Sequence, residues 1–211
     1  EHWVNLHHDL IFLADNKSFI WASERNGFKH LYHFTNNGKL INQLTEGKWI
    51  VDAIKHIDED KGLIYFTGRA DTPLERHLYS VPLNGKSPEH VARISKRNGF
   101  HNINFSRDSK TYIDSFSNIN TPKQVSLHKI NGEHITWLAE NKVNEAHPIS
   151  PYYDDLIQPK FGTLTSNDGE ATLYYKLYKP KNMEPGKKYP VIVNVYGGPH
   201  AQRVRNIWQG A

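Results

Sequence analysis

The sequence predicts a mostly β chain: the last blades of a β-propeller over residues 1–148, then the opening strands of an α/β domain over residues 149–211. Three observations carry this. A β-rich unit recurs about every 47 residues, the rhythm stops near Ala146, and a nearly continuous apolar run then ends in paired glycines.

The repeat comes first, because self-similarity at a fixed period decides the architecture. Phe19 to Tyr32, Leu63 to Tyr79 and Tyr112 to Leu127 align as strand, loop and strand. Each follows a polar turn: Asp15-Asn16-Lys17, Asp60-Lys61-Gly62 and Asp108-Ser109-Lys110. A second set of turns, Asn37-Gly38, Asn84-Gly85 and Asn131-Gly132, keeps a constant step of 47 residues. Asn-Gly is the preferred pair for a two-residue hairpin, since both positions tolerate positive φ. A short strand is expected after each, at Leu40 to Leu44, His90 to Ile94 and His134 to Leu138. Four short strands in 45–50 residues is the content of a propeller blade. The alternative is a β-sandwich with irregular hairpins, which the constant step argues against. Three blades do not close a ring, so further blades are expected upstream. Glu1-His2-Trp3 resembles neither a start methionine nor a signal peptide, and is read as a boundary inside a longer protein.

After Ala146 the prolines at 148 and 151 and the run Tyr152-Tyr153-Asp154-Asp155 suggest a connection between domains. Strands are expected at Lys160 to Thr165 and Ala171 to Tyr178, joined by the turn Ser166-Asn167-Asp168-Gly169. Val191 to Tyr196 reads as a strand buried on both faces of a sheet. It ends in Gly197-Gly198-Pro199-His200. Glycines just past the C-terminal end of such a strand let backbone N–H groups approach a substrate oxygen. From these residues alone, a plain tight turn and an oxyanion loop both stay open.

Composition narrows the function. Apolar residues make up 37% of the 211, enough for a packed core, and the net charge of +4 comes from dispersed Lys and Arg. Dispersed charge reads as a solvated surface and argues against a nucleic-acid partner. There is no cysteine, which excludes disulfides, zinc–thiolate sites and a thiol nucleophile. No apolar run approaches the roughly 18–20 residues of a membrane span. The densest histidine cluster, His7-His8-Asp9, lacks ligand spacing and is read as a blade-edge feature, so no metal is expected.

Three stretches carry a resemblance to a known family. They are Trp21 to Tyr32, Asp71-Thr-Pro-Leu-Glu75 with His77-Leu-Tyr79, and Gly186-Lys-Lys-Tyr-Pro190 followed by Val195-Tyr-Gly-Gly-Pro199. Together they resemble the dipeptidyl peptidase IV family of the prolyl oligopeptidase superfamily of serine peptidases, in the form of a bacterial member. The resemblance implies an eight-bladed propeller, an α/β-hydrolase domain, and removal of N-terminal dipeptides after proline or alanine. It implies peptide substrates, no cofactor, a parent enzyme that dimerises, and either the periplasm or the cytoplasm. It also implies that Tyr196 donates its hydroxyl to the oxyanion of the tetrahedral intermediate, with Gly197 and Gly198 shaping the loop. A tyrosine packed for its ring is the competing reading. Gly-x-Ser-x-Gly, the nucleophile motif, does not occur in these residues. The chain is therefore expected to lack the Ser-Asp-His triad and to be inactive by itself. A related oligopeptidase or acylaminoacyl peptidase, and a non-catalytic propeller used for binding, remain alternatives.

Overall fold

A computed structural model of the chain describes residues 5–85, 90–198 and 201–209. Glu1-His2-Trp3 and the Pro199-His200 end of the glycine motif lie outside the described residues. Among the described residues, twelve strands form three four-stranded antiparallel sheets. The first holds β1 (Leu10–Phe12), β2 (Ser18–Ser23), β3 (His30–Thr35) and β4 (Leu40–Gln43). The second holds β5 (Val51–Asp58), β6 (Leu63–Gly68), β7 (His77–Pro82) and β8 (Ala92–Arg93). The third holds β9 (Phe100–Phe105), β10 (Thr111–Asn118), β11 (Thr121–Lys129) and β12 (His134–Ala139). In each sheet the strands pair in chain order, which is the meander of a propeller blade.

Both sets of predicted turns occupy equivalent places. Asp15 to Lys17, Asp60 to Gly62 and Asp108 to Lys110 join the first and second strands of their sheets. At each tip one residue is left-handed: Asn16 (φ 51°), Gly62 (φ 62°) and Ser109 (φ 54°). The three Asn-Gly pairs join the third and fourth strands. Both sets lie at one rim, because odd connections in a meander share an end. Hydrogen bonds tie them together there, from the N–H groups of Asn36, Leu83 and Ile130 to the carbonyls of Lys17, Gly62 and Lys110.

The Asn-Gly hairpins differ from the expected two-residue form. Gly38, Gly85 and Gly132 each donate N–H to the carbonyl three residues back, at 2.8, 3.0 and 2.8 Å. Gly38 and Gly132 are left-handed, whereas Asn37 and Asn131 are not. That is a type I turn closed by an αL residue, the three-residue hairpin with a glycine bulge. Beside the first of these turns, Thr35 Oγ1 accepts the Lys39 N–H at 3.1 Å and donates to Asn37 Oδ1.

Burial follows position in the stack. The second sheet is covered on both faces, so β6 is buried at every position from Ile64 to Gly68 and shows no alternation. Leu13, Ile20, Leu31, Leu44, Val51, Ile64 and Phe66 fill the layer between the first and second sheets. Tyr65, Leu78, Ile103 and Tyr112 fill the layer between the second and third. The third sheet has one open face: β10 alternates, and β12 is exposed throughout. Asp9, from the histidine-rich cluster, joins the first two sheets. It accepts Lys29 Nζ at 2.5 Å on one oxygen and the Ile54 N–H at 3.2 Å on the other.

Beyond the third sheet come a one-turn helix, α1 (Ser150–Tyr153), and a hairpin of β13 (Lys160–Thr165) and β14 (Thr172–Leu177). The expected turn at Ser166 to Gly169 connects the two strands, with Gly169 left-handed at φ 78°. The expected strand at Val191 to Tyr196 is corrected. It pairs with no strand among the described residues, and Ile192 is 94% exposed. An apolar run becomes a strand only where a neighbouring strand takes up its N–H and C=O groups. The β13–β14 hairpin does not do so.

Candidate functional site

Two parts of the chain carry the candidate site. The first is the loop at Tyr196. Its ring is half exposed, and Gly197 sits at φ 66°, a conformation that L side chains rarely adopt. A Cβ on Gly198 would lie 3.1 Å from the Tyr196 ring, so the second glycine lets the backbone pass beside that ring. The structure thus gives each glycine its own reason. It leaves Tyr196 at the surface, without the enclosing strand that the sequence predicted.

The second part is the rim opposite the Asn-Gly turns, made by the connections between second and third strands. In the second sheet this is the loop from Arg69 to Arg76. Segment 201–209 returns to it. The Asn206 N–H donates to Leu74 O at 2.8 Å, and Asn206 Nδ2 donates to Glu75 Oε1 at 2.7 Å. Asn206 Oδ1 accepts the Ile119 N–H at 3.0 Å, from the matching turn of the third sheet. Gln202 bonds Pro73 O and takes a hydrogen bond from Arg69. Arg69 in turn grips Asp52 through Nε and Nη2, at 3.2 and 3.3 Å. The guanidinium groups of Arg69, Arg76 and Arg205 lie 5.5, 4.4 and 5.6 Å from the centre of the Phe100 ring.

Glu75 is buried and serves two partners, Asn206 on one oxygen and His77 Nε2 at 2.9 Å on the other. Burial alone would push its carboxyl up. The hydrogen bonds from His77 and Asn206 outweigh that and hold it below its ordinary value. His77 Nδ1 meets Ser95 Oγ at 3.0 Å, and the same oxygen accepts the Leu78 N–H at 3.1 Å. Ser95 therefore donates to Nδ1, and the neutral His77 donates from Nε2 to the carboxylate. One blade earlier, 47 residues back, His30 repeats the device. Its Nδ1 meets Thr45 Oγ1 at 3.0 Å, its Nε2 meets Gly47 O at 2.9 Å, and Thr45 accepts the Leu31 N–H. In the third blade Gln124 stands at that place and donates to Glu140 O.

The family model for the N-terminal region of dipeptidyl peptidase IV matches residues 1–123. The chain belongs to the dipeptidyl peptidase IV family. Dipeptidyl peptidase 8 of Mus musculus is 32% identical, over 99% of this chain and 27% of that protein. A probable dipeptidyl-aminopeptidase B of Aspergillus fumigatus is 30% identical, over 85% of this chain and 19% of that protein. Among solved structures, Porphyromonas gingivalis dipeptidyl peptidase 4 matches with a TM-score of 0.82 and 25% identity, over 96% of this chain and 28% of that one. The chain thus spans about a quarter of the length of the dipeptidyl peptidases 8 and 4 it matches. The three sheets are blades of the family's propeller.

Within this family fold, the sequence singled out Tyr196, Gly197 and Gly198 and did not single out Asn206, which joins two blades. The available signal was Asp71 to Glu75, which the resemblance singled out and to which the structure gives a partner. No group of His, Asp and Glu among the described residues is arranged to hold a metal ion. No helix among them is long and apolar enough to cross a membrane.

Five buried or half-buried histidines are expected to make the fold acid-sensitive. Burial pushes His30, His33, His56, His77 and His128 below their ordinary value of 6.5. In the folded chain they stay neutral, while the unfolded chain takes up protons as pH falls through 6.5. Stability is therefore fully present above that pH and declines below it. Thermal melts are expected to coincide at pH 8 and 7 and to shift down steadily from pH 6.5 to 5. A flat profile over that range would contradict this, since carboxylates lose their contribution only near their own, lower values.

Proposed function

We propose that this chain is part of a serine dipeptidyl peptidase that removes Xaa-Pro or Xaa-Ala dipeptides from peptide N-termini by acyl-enzyme hydrolysis. Residues 1–148 are propeller blades, and residues 149–211 open the α/β-hydrolase domain. Tyr196 is the oxyanion donor. The observation that carries the reading is the Tyr196-Gly197-Gly198 loop, in a chain of this family: a half-exposed phenol followed by a left-handed glycine. A phenol O–H is a neutral donor, suited to charge that develops only in the transition state. The serine nucleophile comes from outside these residues, because no Gly-x-Ser-x-Gly occurs in them, and its base and orienting acid are assigned with it to the rest of the hydrolase domain.

A Gly-Pro chromogenic substrate tests this. The full-length protein should turn it over and the 211-residue chain should not. Turnover by the chain alone, free of contaminating peptidase, would refute the site assignment. A full-length protein that cleaves only blocked or internal bonds would point to an oligopeptidase or acylaminoacyl peptidase. One that binds peptides without cleaving them would be a non-catalytic propeller.

A further inference from the structure

We propose that Asn206 is a positioning residue for Tyr196: through it, the rim of the second and third blades sets where the oxyanion donor stands. The inference rests on the oxyanion reading of Tyr196. Asn206 uses its backbone donor, its side-chain donor and its side-chain acceptor on three different partners, Leu74, Glu75 and Ile119. The amide orientation is fixed by chemistry, since the Ile119 N–H can only donate and the Glu75 carboxylate can only accept. Its two side-chain partners lie in different blades, so one side chain reports the relative placement of both. Four residues earlier, Gln202 adds a second attachment at Pro73 and Arg69. Segment 201–209 is thus held to this rim through Gln202 and Asn206, and Tyr196 lies six residues before the first of them.

The substitutions follow from the hydrogen-bond count. Asn206→Asp keeps the acceptor for Ile119, removes the donor to Glu75, and sets two carboxylates against each other. Adding Glu75→Gln restores every partner: the new amide donates to the aspartate and its carbonyl accepts from His77. Kinetics on a Gly-Pro substrate in the full-length protein give the test. N206D should lower kcat by about 10–100-fold, as expected for a misplaced catalytic group, with KM changed much less. The double variant E75Q/N206D should return to nearly wild-type kcat. Y196F added to N206D should cost far less than Y196F alone, because the donor is already displaced.

Hydrogen exchange in the same proteins reads the clamp independently of turnover. The Ile119 amide should exchange about tenfold faster in N206D and recover in the double variant. If Y196F retains wild-type kcat, the oxyanion reading falls and this inference with it. If Y196F is slow but N206D is not, or if the two add fully, the reading stands and Asn206 has no positioning role. Where N206D is insoluble, the double variant decides. Wild-type kcat and wild-type exchange at Ile119 there support the clamp, and a folded but slow double variant, or fast exchange at Ile119, overturns it.

Discussion

On the proposed oxyanion role, replacing Tyr196 by Phe in the full-length protein is expected to lower kcat by about 10²–10³-fold, the usual effect of losing one such donor. The change removes one hydroxyl and leaves the ring beside Gly198. Its effect therefore falls on chemistry rather than on folding, and matching circular dichroism establishes that first. KM should move little, because the phenol acts when charge builds on the substrate oxygen. Steady-state kinetics on a Gly-Pro substrate separate the cases. Wild-type kcat would reduce Tyr196 to a packing residue. A raised KM with unchanged kcat would place it in ground-state binding.

The second large effect concerns stability. His77→Ala is expected to destabilise the fold by about 3 kcal/mol, because it takes away one of the two donors that hold the buried Glu75 carboxylate, a charged acceptor. His30→Ala removes the same ring from the same place one blade earlier. There the lost partner is the neutral carbonyl of Gly47, so about 1–3 kcal/mol is expected. Urea unfolding of both variants makes the comparison. Equal losses would mean that the carboxylate contributes nothing beyond the ring's packing. Adding Glu75→Gln to His77→Ala should recover part of the deficit, since a neutral amide is easier to leave underused than a charge.

How much of this could be read beforehand depended on how local each signal was. The three blades were legible because the Asn-Gly pairs recur at one step, and such a turn is encoded by adjacent residues. The hairpin form was not, because the same Asn-Gly pair fits both the two-residue turn and the wider loop with only its glycine left-handed. The first strands of the blades went unnamed. β1 is three residues long, and β5 mixes Asp52, Lys55 and His56 into its pattern. Val191 to Tyr196 misled for the opposite reason: an apolar run states a preference for burial but does not supply a partner strand. Asn206 was marked only indirectly, through the Asp71 to Glu75 stretch that holds its partner. Its partner Glu75 lies 131 positions away, and a single polar residue has no periodicity to betray it.

The separation of the two rims has a consequence for chemical ageing. Asparagine followed by glycine is the pair most prone to deamidation, because the glycine nitrogen can close onto the side-chain carbonyl. Asn37, Asn84 and Asn131 all stand on the rim away from Asn206. In each turn the glycine N–H is engaged with the carbonyl three residues back, which slows the closure. Where isoaspartate does form, the lengthened backbone falls in a turn between third and fourth strands, at an exposed asparagine. Old preparations should therefore gain negative charge on one rim while the Glu75–Asn206–Ile119 contacts on the other stay intact.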